Sequence, residues 1–344
     1  MGILDKYEKI IFDMDGVITS ENGYWNCAAL AVYELLYDKR YYGTRDLDTN
    51  WMYENVAQIR KNILCNDTTI AMFKNFGVNS NWDLAYLTLS GAIGLDTEDF
   101  NLVREHYKEQ NLNAPEIYDH AAKLYSRRFG SLDCTRLSPF WVNLQTVFDE
   151  WYYGDEYFKQ CYKKEPVKKG KHSFMANEVP MHGIEKTKEF LNTLVNKGIT
   201  VAVGTGRPDF EFWLPMKNCG LLEYFDKNSI VTHDHVMAAA EKTGLFLAKP
   251  NPYCFLKAAY GLDYPDEKIV SGNYDKKYLE KVLIVGDAGA DILAAKAMDT
   301  DFAAVLTGVN GKASKKYFEE LSSEYIFDDV LELVKPSGNE HHKV

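Results

Sequence analysis

The chain has 344 residues, 46% hydrophobic and 26% charged, with a formal net charge of −11. That length corresponds to about two domains, and the composition is that of a chain able to bury a large core. The acidic balance argues against general binding to nucleic acid or anionic membranes, while a locally positive pocket for a phosphorylated small molecule stays open.

The chain start, MGILDKYEKI, carries no long apolar segment, so no signal peptide is expected, and Lys6 breaks the myristoylation pattern. No apolar run is long enough to span a bilayer. Asn66-Asp67-Thr68 matches a glycosylation sequon, but nothing routes the chain to the secretory pathway. The six cysteines form no CxxC pair and read as reduced thiols. The expectation is a soluble cytoplasmic protein.

KIIFD (9–13) is the first predicted strand, and it runs into Asp13, Met14, Asp15 and Gly16. Two carboxylates this close repel each other and cost free energy to desolvate unless a cation lies between them. On an extended chain, side chains two residues apart share a face, so both can reach one group.

Residues 21–179 have few β-branched runs and many aromatics, including Trp25, Trp51, Trp82, Trp141 and Trp151. WNCAALAVYELLYDK (25–39) and WVNLQTVFDEWYY (141–153) carry apolar residues at helical spacing. The segment is read as a mainly helical domain inserted after the first strand, with its tryptophans in helix–helix cores. KKEPVKKGKHS (163–173) closes it and reads as a solvated basic linker, or alternatively as a mobile flap near an anionic substrate.

The rest of the chain alternates helical and strand patterns. GIEKTKEFLNTLVNKG (183–198) is a predicted helix with a glycine stop, and NPYCFLKAAYG (251–261) another with Pro252 near its start. GITVAVGT (198–205), SIVTH (229–233), KVLIVGD (281–287) and DFAAVLTG (301–308) are short apolar runs of the kind buried on both faces of a parallel sheet. GLFLA (244–248) is a weaker strand candidate. The pattern predicts an α/β fold, a doubly wound, Rossmann-like, mostly parallel sheet. Residues 1–20 and 180–344 would form this core, and 21–179 the large helical insertion.

In such sheets ligands bind beyond the carboxyl ends of the strands. Those ends here carry Asp13 and Asp15, then Thr205, Gly206 and Arg207, then Lys249, then Asp287 with Asp291 four residues on. An all-oxygen carboxylate set suits Mg²⁺. Asp13 and Asp287 are the expected ligands, with Asp291 one helical turn past Asp287 and on the same face. With the cation bound, Asp13 can stay ionised and attack phosphorus. Thr205 and the backbone N–H groups after it can hold phosphoryl oxygens, and Lys249 can neutralise charge. Gly16 and Gly206 belong to the expected phosphate contacts. Arg207 would clamp a second anionic group, or else pair with Asp209 or Glu211.

FDMDGVIT, VAVGTGRP, AKPNP and VLIVGDAGADILAAKAM stand in the order of the motifs of the haloacid dehalogenase superfamily, which the chain resembles over about residues 5–20 and 180–335. The resemblance implies that Asp13 forms an aspartyl-phosphate. Asp15 would be the general acid and base, with its backbone carbonyl on Mg²⁺. Thr205 would bind the phosphoryl group, Lys249 would steady nucleophile and phosphate, and Asp287, supported by Asp291, would bind the metal. An aspartate at position 15 favours phosphatases and phosphomutases over dehalogenating members, which lack it and need no metal. The insertion is similar to a C1-type cap, though larger than the common four-helix form, with 19–24 and 177–182 as candidate hinges.

The expected function is therefore Mg²⁺-dependent hydrolysis of a small phosphorylated metabolite. A sugar phosphomutase similar to β-phosphoglucomutase is the alternative, and a dehalogenase or a non-catalytic binding protein on the same core are further ones. No nucleic-acid or membrane partner is expected, and the large insertion is a candidate homodimer surface.

Overall fold

Six short strands, β1 (Lys9–Phe12), β2 (Thr200–Gly204), β3 (Ile230–Val231), β4 (Val282–Gly286), β5 (Asp301–Val305) and β6 (Tyr325–Phe327), form one sheet in the order β3-β2-β1-β4-β5-β6. Every neighbouring pair is parallel. The structure, a computed structural model, describes residues 3–78, 80–130 and 134–335. The chain divides into two compact units, Met1–Glu21 with Asn177–Val344, and Asn22–Ala176.

The sheet unit is doubly wound because alternate strand residues enter opposite cores. Ile10, Phe12, Val201, Val203, Leu283, Val285, Ala303 and Val305 pack on one face with Phe190, Leu191 and Leu194 of the helix Ile184–Asn196. Ile11, Ala202, Ile284, Phe302 and Ala304 pack on the other with the helices Tyr253–Tyr260 and Gly289–Met298. Burial on both faces is the reason these strands read as continuous apolar runs.

Two details differ from the sequence reading. GLFLA is irregular chain: Gly244 (φ 70°) ends the helix His233–Thr243 in the left-handed region, and no strand forms before Lys249. β6 is an addition; its three residues are too few to carry a periodic signal.

Among the described residues, the second unit is built of helices. Asn22–Tyr37 is buried on most sides, from Trp25 through Leu35, so it is a core helix rather than an amphipathic surface one. Pro139–Tyr162 breaks at Gly154 (φ 69°), where a Cβ would lie 2.6 Å from the backbone nitrogen of Ser173. Trp25, Trp141 and Trp151 are buried, whereas Trp51 and Trp82 are exposed and do not belong to a core. Buried indoles carry a donor that needs an acceptor. Trp151 Nε1 donates to Glu34 at 2.8 Å and Trp141 Nε1 to Asp83 at 2.8 Å.

The basic 163–173 segment is not a solvated linker. Lys168 and Lys171 are buried. Lys168 Nζ lies 2.6 Å from Asp38, and Lys171 Nζ lies 2.9 Å from Glu34 and 2.5 Å from Glu150. Trp151 and the Val167 N–H also donate to these two glutamates, so each buried carboxylate has a further donor. Lys171 is the shared cation of two carboxylates, both with fully buried side chains. Among the described residues no helix is long and apolar enough to cross a membrane.

Removing one partner of a buried pair leaves an uncompensated charge and costs about 3–5 kcal/mol. Lys171→Ala should therefore lower the unfolding free energy of this unit by an amount in that range. Lys169→Ala, which truncates an exposed lysine, should stay within about 0.5 kcal/mol of the parent. Equal, small changes in denaturant unfolding for both variants would restore the linker reading.

Candidate active site

The register of the sheet assembles the site. Phe12 of β1 lies abreast of Val203 in β2 and Val285 in β4. The three central strands therefore end together, and Asp13, Thr205 and Asp287 follow them at the carboxyl edge. The ladder continues just beyond the strands: Asp13 N–H donates to the Val285 carbonyl at 2.9 Å, and Thr205 N–H to that of Val231 at 3.0 Å.

Carboxylate oxygens of Asp13, Asp287 and Asp291 all lie within 4.8 Å of one another. Lys249 Nζ enters this group, 2.9 Å from Asp13 Oδ1 and 2.8 Å from Asp291 Oδ1, with its ammonium 4.4 Å from the centre of the Phe255 ring. Asp291 also accepts from the N–H of Ala288, at the start of the helix Gly289–Met298. Asp287 precedes that helix, so the two aspartates converge through this N-terminal turn and not through i, i+4 spacing on one helix face.

One ammonium faces three carboxylates, and the imbalance appears in their proton affinities. Burial pushes Asp13 up to about 7; Lys249 opposes this, and Asp291 adds to it. Burial and the negative charges of Asp13 and Asp291 raise Asp287 well above the usual carboxylate range. Burial disfavours the charge on Lys249, yet Asp13 and Asp291 together hold its ammonium above the ordinary lysine range.

Glycines make room for the charged groups. A Cβ on Gly16 (φ +75°) would lie 2.3 Å from an Asp287 carboxylate oxygen, and one on Gly308 would lie 2.0 Å from it. Asp287 is thus closely walled, and no donor or cation among the described residues bonds to its carboxylate. A half-buried carboxylate with no bonded donor, beside two others, is a site that a small hard cation fits. Asp13, Asp287 and Asp291 are the residues that would hold it.

Asp15 stands apart from this cluster. It sits in a tight loop closed by the Gly16 N–H to the Thr19 carbonyl at 2.7 Å and by the Thr19 N–H to the Met14 carbonyl at 2.9 Å. The loop is tied down by Thr307, whose hydroxyl donates to the Gly16 carbonyl at 2.5 Å. Arg207 Nε donates to Asp15 Oδ2 at 3.0 Å and Nη2 to Oδ1 at 2.5 Å. Beyond Asp15, Arg207 donates to Glu178, from Nη1 at 2.6 Å and from Nη2 at 2.9 Å.

Arg207 is thus held by two carboxylates that the sequence did not single out as its partners. Its ion pairs are with Asp15 and Glu178, and the Glu211 backbone carbonyl accepts from it at 3.3 Å. Its five N–H groups are taken up by Asp15, Glu178 and that carbonyl, so none is left for a second anionic group. Thr205 is buried, and its hydroxyl oxygen accepts from the Arg207 N–H at 3.1 Å, which leaves the O–H to donate elsewhere. Gly206 has open space where a Cβ would lie.

Four participants, Glu178, Glu21, Thr307 and Gly308, were not singled out in the sequence. Glu178 lies in a stretch with no motif, Glu21 adds negative charge near Asp287, and Thr307 anchors the Gly16 turn. Thr307 and Gly308 follow β5 and were signalled only by strand-end position, while Glu178 and Glu21 had no signal in sequence.

A model of haloacid dehalogenase-like hydrolases matches residues 7–299. Among solved structures, an X-ray structure from the Northeast Structural Genomics Consortium is 27% identical with a TM-score of 0.80, covering 95% of this chain and 97% of its own. A phosphatase from Thermococcus thioreducens is 17% identical (TM-score 0.48; 85% and 90% covered). A HAD family hydrolase from Deinococcus radiodurans, solved with bound phosphate and sodium, is 14% identical (TM-score 0.46; 95% and 93% covered). None of the curated proteins compared matches the chain. With the doubly wound sheet and the carboxyl-edge aspartates already in place, the match across 7–299 makes this chain a member of the haloacid dehalogenase-like hydrolases.

Proposed function

We propose that the protein is a Mg²⁺-dependent phosphatase that hydrolyses a small phosphomonoester through an aspartyl-phosphate on Asp13. The observation that carries this reading is the meeting of Asp13, Asp287 and Asp291 with Lys249, while a second strand-end carboxylate, Asp15, stays outside the cluster. Bound by Asp13, Asp287 and Asp291, Mg²⁺ supplies positive charge to the phosphoryl oxygens and lets the carboxylates coexist.

In this reading an Asp13 carboxylate oxygen attacks phosphorus, and the bond from phosphorus to the ester oxygen breaks. Asp15 gives its proton to the departing oxygen. In the second half, Asp15 takes a proton from water. The water oxygen attacks phosphorus, the bond to Asp13 breaks, and inorganic phosphate leaves. Lys249, held on Asp13 and Asp291, keeps the nucleophile oriented and offsets phosphoryl charge. The Thr205 hydroxyl donates to a phosphoryl oxygen. The inserted helical unit is the proposed source of substrate selection, and the reaction is assigned to the cytoplasm.

Asp13→Asn should reduce phosphate release across a panel of phosphorylated metabolites by more than about 10³-fold, with an unchanged far-UV circular dichroism spectrum. Near-parental turnover would remove Asp13 as nucleophile. Hexose 1-phosphates isomerised without release of inorganic phosphate would identify a mutase instead.

Chelation should abolish turnover and Mg²⁺ should restore it. A second readout is independent of activity. Asp13 and Asp287 have raised pKa values in the folded, metal-free protein, so the native state takes up their protons at higher pH than the unfolded chain does. The metal-free protein should gain stability as pH falls from about 8 to about 5, and Mg²⁺ should flatten that slope. Asp287→Asn should raise the metal-free melting temperature at the upper end of this range and eliminate the Mg²⁺-induced increase. A parental melting temperature indifferent to Mg²⁺ would contradict the metal assignment.

A further inference from the structure

Arg207 and Glu178 have no part in the reaction as written above, yet Arg207 is almost fully buried and bonded to two carboxylates, Glu178 and the acid–base residue Asp15. Arg207 is fixed from several directions. Glu178 accepts two bonds from it, the Glu211 carbonyl a third, and its own backbone N–H is bonded to Thr205. Its planar fork is therefore set by groups other than Asp15. Asp15, by contrast, has little else to orient it. Among the described residues its only other side-chain partner is the Thr19 hydroxyl, at the long distance of 3.5 Å.

The two bonds from Nε and Nη2 form a fork on the carboxylate, which fixes the carboxylate plane as well as its position. A carboxylate has about four lone-pair sites, so the fork leaves others on both oxygens for a leaving-group oxygen or a water. A lysine at this place would supply charge but no fork.

We propose that Arg207 is the positioning residue for Asp15, that Glu178 holds Arg207 in place, and that Arg207 makes no contact with substrate. This rests on the phosphatase reading, in which Asp15 is the acid and base. It also assigns a role to Glu178, in the stretch that returns the chain from the helical unit to the sheet unit.

The test uses the full-length protein with Arg207→Lys and Glu178→Gln, beside the parent. Glycerol phosphate has a poor leaving group that needs a proton, whereas p-nitrophenolate leaves without one. Arg207→Lys should lower kcat on glycerol phosphate by about 100-fold with KM little changed, the scale of a lost general acid. The first-turnover burst of p-nitrophenolate should keep its rate, while the steady state behind it slows because Asp15 also activates water. Glu178→Gln should show the same pattern, weaker. Crystal structures of both variants should show Asp15 reoriented and Asp13, Thr205 and Lys249 in place.

A p-nitrophenolate burst slowed as much as kcat on glycerol phosphate, or a raised KM with unchanged kcat, would make Arg207 a scaffold or substrate-binding residue and overturn the proposal. An unmoved Asp15 in the Arg207→Lys crystal structure would overturn it too. If the parent cleaves neither ester, the phosphatase reading falls, and the crystal structures still decide whether Arg207 aims Asp15.

Discussion

Three carboxylates and one ammonium meet where β1 and β4 end, and this uneven charge is the constraint from which the rest of the site follows. Lys249 is bonded to Asp13 and Asp291 but not to Asp287, which is walled by Gly16 and Gly308. In water such charges would be screened; behind these glycines they are not, and their proton affinities rise accordingly. The fold accepts this cost because parallel strands of matched length deliver their C-terminal residues to one edge. A cation bound there would turn the repulsion into coordination.

The same edge separates Asp13 and Asp15 although only Met14 lies between them. Met14 is buried, and the turn through Gly16 swings Asp15 away from Lys249 and toward Arg207. One aspartate therefore faces an ammonium and two carboxylates, and the other a guanidinium that is itself anchored by Glu178. Neighbours in sequence, they occupy different electrostatic surroundings, which is what the proposed roles of nucleophile and acid–base residue require.

The helical unit solves a different problem by related means. Its core contains Glu34, Glu150 and Asp83, each of which would be costly to bury alone. Lys171, Arg136 and the indole N–H groups of Trp151 and Trp141 satisfy them. Tryptophans that look purely apolar in the sequence thus act partly as donors. A basic stretch that looks like a solvated connection supplies the central cation.

The doubly wound sheet, the helical insertion and the strand-end residues Asp13, Asp15, Thr205 and Asp287 were legible in the sequence, and so were Asp291 and Lys249 as charged candidates, although no strand precedes Lys249. They follow local rules: apolar runs of strand length, glycine stops, and polar residues placed where a buried strand must end. Arg207 was legible as a charged residue at the edge, but its partner was not. Glu178 is 29 residues away, and only the turn after β2 and the path of the returning chain bring them together. Lys168 and Lys171 were misread for the same reason, since Asp38 and Glu34 lie more than a hundred residues before them. Sequence alone determined which chemistry stands at the strand ends, because that depends on residue type and local period. Tertiary structure alone decided which charges pair, because a cation's partner is set by distance in space, and buried charges take whichever counter-charge the packing brings within reach.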